Sequence, residues 1–78
     1  MDSIKYTTII SIAKEFVTEY DRYVKSAATE TDPRLLKYWE HCASVALTQV
    51  RTFLLLVPDT YLFIENGSIV INWGGERQ

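Results

Sequence analysis

His41 and Cys42 are the only histidine and the only cysteine in the chain, and they are adjacent. A thiol beside an imidazole is the raw material of a nucleophile and its base. On a helix, however, neighbouring residues diverge by about 100°, so the two side chains do not face each other. The pair therefore reads as a buried structural thiol and a surface imidazole, since a free cysteine commonly packs as a small hydrophobe. One histidine and one cysteine also fall short of the four ligands of a structural zinc site, and no metal or other cofactor is expected.

The remaining polar groups give similarly little to catalysis. Glu15 and Glu19 share a helical face at i, i+4, but Lys14, Arg22 and Lys25 are interleaved with them, which is the pattern of a solvated face. Eight basic residues against ten acidic ones, a net charge of −2, do not make the sustained positive field that draws nucleic acid. Only Gly67, Gly74 and Gly75 are available for a phosphate-cradling loop, so nucleotide hydrolysis has no visible machinery. One anionic-ligand reading survives as an alternative. Tyr20, Arg22, Tyr23 and Lys25 alternate aromatic and basic groups as a nucleotide-like ligand in a dimer cleft would need. Against it, the two tyrosines fall on the inward arc while Arg22 and Lys25 point away.

Behind these side chains lies a simple element order. Ile9, Ile10, Ile12, Ala13, Phe16, Val17, Tyr20, Tyr23, Val24, Ala27 and Ala28 fall in one arc of roughly 160° on a helical wheel, which predicts a helix over about 7–27. Lys5 would enter that arc, so the regular part is placed at Thr7 or Thr8, with Asp2 or Ser3 as the alternative start. Asp32-Pro33 opens a second helix over about 33–56, because an aspartate accepts the free N–H groups of a first turn and proline there has none to orphan. Pro58 closes it. The short link between them makes an antiparallel helical hairpin.

Tyr61-Leu62-Phe63-Ile64 and Ile69-Val70-Ile71-Asn72-Trp73 flank Asn66-Gly67, the strongest short-range signal for a β-hairpin, predicted over about 60–73. The turn sets the register, with Glu65 opposite Ser68 and Tyr61 opposite Asn72. Leu62, Ile64, Ile69, Ile71 and Trp73 then share the face assigned to the helices, while Tyr61, Phe63 and Val70 share the other. Residues 74–78 are expected to be a flexible tail. The fold class is α+β, a single domain of 78 residues: an antiparallel two-helix hairpin followed by a C-terminal β-hairpin.

The second helix is too greasy for this arrangement. Its main apolar arc is widened by Tyr38, Val45 and Leu56 on one flank and by Leu47 on the other, to roughly 220°, more than one neighbouring helix can cover. Chains of this length also struggle to stabilise a single core, and Cys42 alone offers no internal disulfide. A homodimer is therefore expected, its favoured form a four-stranded sheet made by two hairpins across a two-fold axis. Tyr38, Val45, Leu56, Tyr61, Phe63 and Val70 are the expected contacts with a partner or a second copy. With no secretory leader pattern and too many polar groups between His41 and Pro58 for a membrane span, a cytoplasmic protein is expected. No motif is specific enough to carry a family resemblance. The reading is a non-catalytic protein-interaction module, in the style of small phage-encoded accessory proteins that inhibit or adapt a host factor.

Overall fold

A computed structural model describes residues 2–74 of the chain. Two helices, α1 (Asp2–Thr29) and α2 (Pro33–Leu54), precede two strands, β1 (Thr60–Glu65) and β2 (Ser68–Trp73), which form one antiparallel sheet. The architecture is α+β. The last four residues of the expected tail, 75–78, lie outside the described residues, and Gly74 ends the sheet by donating its N–H to the Asp59 carbonyl at 3.0 Å. Among the described residues no helix is long and apolar enough to cross a membrane.

α1 starts at Asp2, five residues before the position that apolar periodicity marks. Periodicity reports only turns that bury a face, whereas a helix propagates past its core at one hydrogen bond per residue. Lys5 stays exposed although the wheel puts it in the apolar arc, and Tyr6 already packs on the core.

α2 starts where Asp32-Pro33 predicts. Asp32 is extended, and its Oδ1 accepts from the Arg34 N–H at 2.9 Å, with Pro33 at the first helical position. The helix ends at Leu54, two residues before Leu56, because its last turn tightens. The Leu56 and Val57 N–H groups donate to Phe53 and Leu54 at 3.1 Å, a three-residue spacing, before Pro58 removes the chance to continue. The Thr60 hydroxyl then donates to the Val57 carbonyl (2.7 Å), with the Leu54 carbonyl also within reach at 3.1 Å.

Glu30 holds the helical hairpin closed. One carboxylate oxygen accepts from the Trp39 indole N–H at 3.0 Å and the other from the Asp32 backbone N–H at 3.3 Å. Farther along, Ala13 and Ala46 are both buried, and small side chains of this kind let two helix backbones approach. Phe16 stacks on Phe53 with ring centroids 5.5 Å apart.

The β-hairpin has the register that Asn66-Gly67 predicts, from Glu65 opposite Ser68 to Thr60 opposite Trp73. Asn66 and Gly67 have φ of 54° and 79°, both positive as a type I′ turn requires. Ile69 and Trp73 join Ile10, Ala13, Val50, Leu54 and Val57 in the core, with Leu62 and Ile71 packed against it. Ile64, assigned to the same inward face, is instead half exposed. Its strand position is right, but β1 is the more exposed strand and its turn end has little beneath it. The Ser68 hydroxyl ties the turn to α1 by donating to Asp21 Oδ1 at 2.8 Å.

Gly67 has open space where a Cβ would sit, so only its backbone conformation resists substitution. Gly67→Val should cost on the order of 1–3 kcal/mol, because a β-branched residue is strained at positive φ. The expected readout is a melting temperature lower by at least about 5 °C in a calorimetric scan. An unchanged midpoint would contradict the turn assignment.

Candidate functional site

Which flank of α2 the β-hairpin covers follows from burial. Leu47 packs against the core beside the sheet, while on the opposite flank Tyr38 is 55% exposed and Leu56 60%, with Val45 also in solvent. That flank continues onto α1. Glu19 and Tyr23 of α1 and Cys42, Val45, Ala46 and Gln49 of α2 line one shallow groove of about 140 Å³, which His41 also borders.

Within this groove Cys42 has a specific partner. Tyr38 stands one helical turn before Cys42, and hydrogen bonding with the thiol, then repulsion between the ionised forms of the two groups, slight desolvation and the Tyr23 phenol favour the protonated phenol and hold its pKa above the ordinary value. Trp39 lies against both tyrosines, its ring 5.1 Å from Tyr38 edge to face and 6.1 Å from Tyr23. His41 is exposed, and Cys42 is a half-buried free thiol. Among the described residues no group of three or more His, Cys, Asp or Glu side chains is placed to hold a metal ion.

The second apolar area is the sheet. Tyr61 is 67% exposed and Phe63 nearly half exposed on its outer face, with Val70 half-buried beside Phe63 across the strands. Below β1 runs a groove of about 440 Å³ lined by Thr48, Arg51, Thr52 and Leu55 of α2 and its last turn, and by Thr60 and Leu62 of β1. Leu55, at 85% the most exposed large apolar side chain, was not among the sequence candidates. A signal for it exists: Phe53-Leu54-Leu55-Leu56-Val57 is an unbroken apolar run, and no helix can turn five consecutive residues inward.

The six expected contact residues thus fall into two groups. Tyr38, Val45 and Leu56 lie on the helical flank, and Tyr61, Phe63 and Val70 on the sheet. The four residues of the anionic-ligand alternative are dispersed. Tyr23 lines the groove with Cys42, Tyr20 a different one with Ala43 and Leu47, and Lys25 a third beside Asn66 and Gly67. Arg22 lies 5.9 Å above the Tyr23 ring and 3.9 Å from Glu19, so its charge is engaged within α1. Asp21, which helical spacing offers to Lys25, accepts from Ser68. Compared with family models, curated proteins and solved structures, the chain finds no match.

In a carbon-13 NMR titration of the tyrosine rings, Tyr38 should lose its proton above the ordinary phenol range, and Cys42→Ala should bring that midpoint down. A midpoint that ignores the substitution would remove the hydrogen bond as its cause.

Proposed function

We propose that this protein works in the cytoplasm by binding another protein rather than by catalysis, and that an extended segment of that partner adds to the free edge of β1. The observation that carries this reading is the state of β1. It pairs on one side only, and it has large exposed side chains on both of its faces, Tyr61 and Phe63 on one and Ile64 on the other. A strand edge of this kind is a template for a further strand.

The register specifies which backbone groups would receive it. Residues flanking a two-residue turn exchange hydrogen bonds, and pairs then alternate along an antiparallel ladder. Glu65, Phe63 and Tyr61 therefore bond to β2, while the N–H and C=O of Leu62 and Ile64 point to the free edge. Main-chain bonds to these two residues give affinity. Specificity comes from Tyr61 and Phe63 above and from the Leu55 and Leu62 groove below. Tyrosine suits this position because it buries a large ring while its hydroxyl stays wet.

A chain this small, held on a larger target, acts by occupying or bridging surface, as an inhibitor or an adaptor does. A free Cys42 fits a reducing compartment.

A photo-crosslinking residue in place of Tyr61, introduced in the cells that make the protein, should give discrete adducts with another protein. The same residue in place of Thr18, on the polar side of α1, should give none. Adding Ile64→Pro removes one outward N–H at a position where an edge strand tolerates proline. It should abolish the adducts while far-ultraviolet circular dichroism keeps the native signal. Adducts indifferent to Ile64→Pro, or absent altogether, would overturn the reading.

A further inference from the structure

The exposed flank of α2 and of the tightened turn that follows it has a regularity that a wheel of apolar residues conceals. Leu35, Tyr38, Cys42, Val45, Gln49, Thr52 and Leu56 follow one another at alternating spacings of three and four. That is the 3.5-residue repeat of a helix seam that packs lengthwise on another helix. None of the seven is buried: Leu35, Tyr38, Val45, Gln49, Thr52 and Leu56 are exposed and Cys42 is half exposed. α1 cannot be what the seam serves, because α1 packs on the neighbouring face through Ala46, Val50 and Phe53. From these observations we infer that a second copy of this chain occupies the seam, its α2 antiparallel to the first and the two-fold axis passing near Val45.

Three features select a second copy as the occupant. First, the seam has no formal charge. Under a two-fold each side chain near the axis meets its own kind, so a charged seam would repel itself and an uncharged one does not. Second, Val45 is the middle of the seven, with Leu35 ten residues before it and Leu56 eleven after. An axis there lays the Leu35 end of one helix over the Leu56 end of the other and covers the whole length, with the helix dipoles opposed. Third, surface is available. The chain exposes 5712 Å², where a compact protein of 9.0 kDa exposes about 4,900 Å². The elongated molecule therefore has surface to spare for an interface of standard size, about 800 Å² on each partner.

The polar members of the seam are compatible with burial. Thr52 donates its hydroxyl to the Thr48 carbonyl at 2.9 Å, so covering it orphans no donor. Gln49 is the seam's one amide, and a single polar group in such a seam sets register more than strength. The groove between Tyr23, Cys42 and Val45 would be closed over by the partner's helix. The assembly is then a layer of helices with each β-hairpin on its outer side, not a sheet continued across the axis. The seam and the groove below β1 share only Thr52, and the outward backbone groups of Leu62 and Ile64 are not part of the seam, so the assembly is tested separately from the strand-addition reading.

Sedimentation equilibrium of the purified full chain tests the assembly. The expected mass is twice 9.0 kDa at micromolar concentration. Val45→Glu should weaken the dimer about thirtyfold or more, as loss of a central contact does, and Phe63→Glu should leave it intact. Because a charge at Val45 can also disturb the fold, a milder pair of variants gives an independent readout. Val45→Cys combined with Cys42→Ser should form a disulfide-linked dimer rapidly on mild oxidation, and Ser11→Cys combined with Cys42→Ser should not. A monomeric wild type, a dimer broken by Phe63→Glu but not by Val45→Glu, or equal cross-linking at both cysteines would each overturn the inference.

Discussion

A sheet of two six-residue strands has area enough to cover one side of a pair of helices, and α2 has apolar side chains on two. Everything else in this fold follows from which side the sheet takes. It takes the side of Leu47 and Leu54, where Ile69 and Trp73 complete the core. The opposite flank, from Leu35 to Leu56, is left as surface. The molecule is consequently long, 48 Å by 19 Å by 14 Å. Its radius of gyration of 14.1 Å exceeds the roughly 11–12 Å of a compact chain of this length.

Small size makes the joints matter as much as the core. Each connection is secured by a side-chain hydrogen bond, to backbone groups near a helix end or to another side chain. Glu30 accepts from the linker and from Trp39, Asp32 caps α2, Thr60 donates to a carbonyl at its other end, and Ser68 fastens the turn to Asp21. None of these groups contributes much apolar area. Their effect is to fix the angle at which each element leaves the last, so that the β-hairpin returns along α1 rather than swinging away. The same economy explains the exposed side chains: a core of six small or medium residues plus Trp73 and its half-buried neighbours is what two helices and one hairpin enclose.

Much of this was legible in the sequence where a feature depends on neighbours along the chain. Asp32-Pro33, Pro58 and Asn66-Gly67 act through local sterics and hydrogen bonding, so the start of α2, its termination and the register of the strands could be read from residue types. The start of α1 could not be read from periodicity, because its first turns extend beyond what they cover. Ile64 and Leu55 were misjudged or missed for a related reason: period-two and wheel patterns say which face a residue occupies, not whether anything lies opposite that face. The interaction of Tyr38 with Cys42 is of the same kind: on a helix the neighbour of Cys42 is the residue one turn away, not the adjacent His41.

By itself, then, the sequence determined the four elements, their order, the strand register and a surplus of apolar surface on α2, because each of these is set by interactions within a few residues. Tertiary structure alone decided which half of that surplus is covered, that Asp21 meets Ser68 forty-seven residues away, and that Tyr38, Val45 and Leu56 stay in solvent. Those outcomes depend on the direction in which the chain leaves Asp59, a single residue at positive φ. No pattern in the hairpin or the helix encodes that direction.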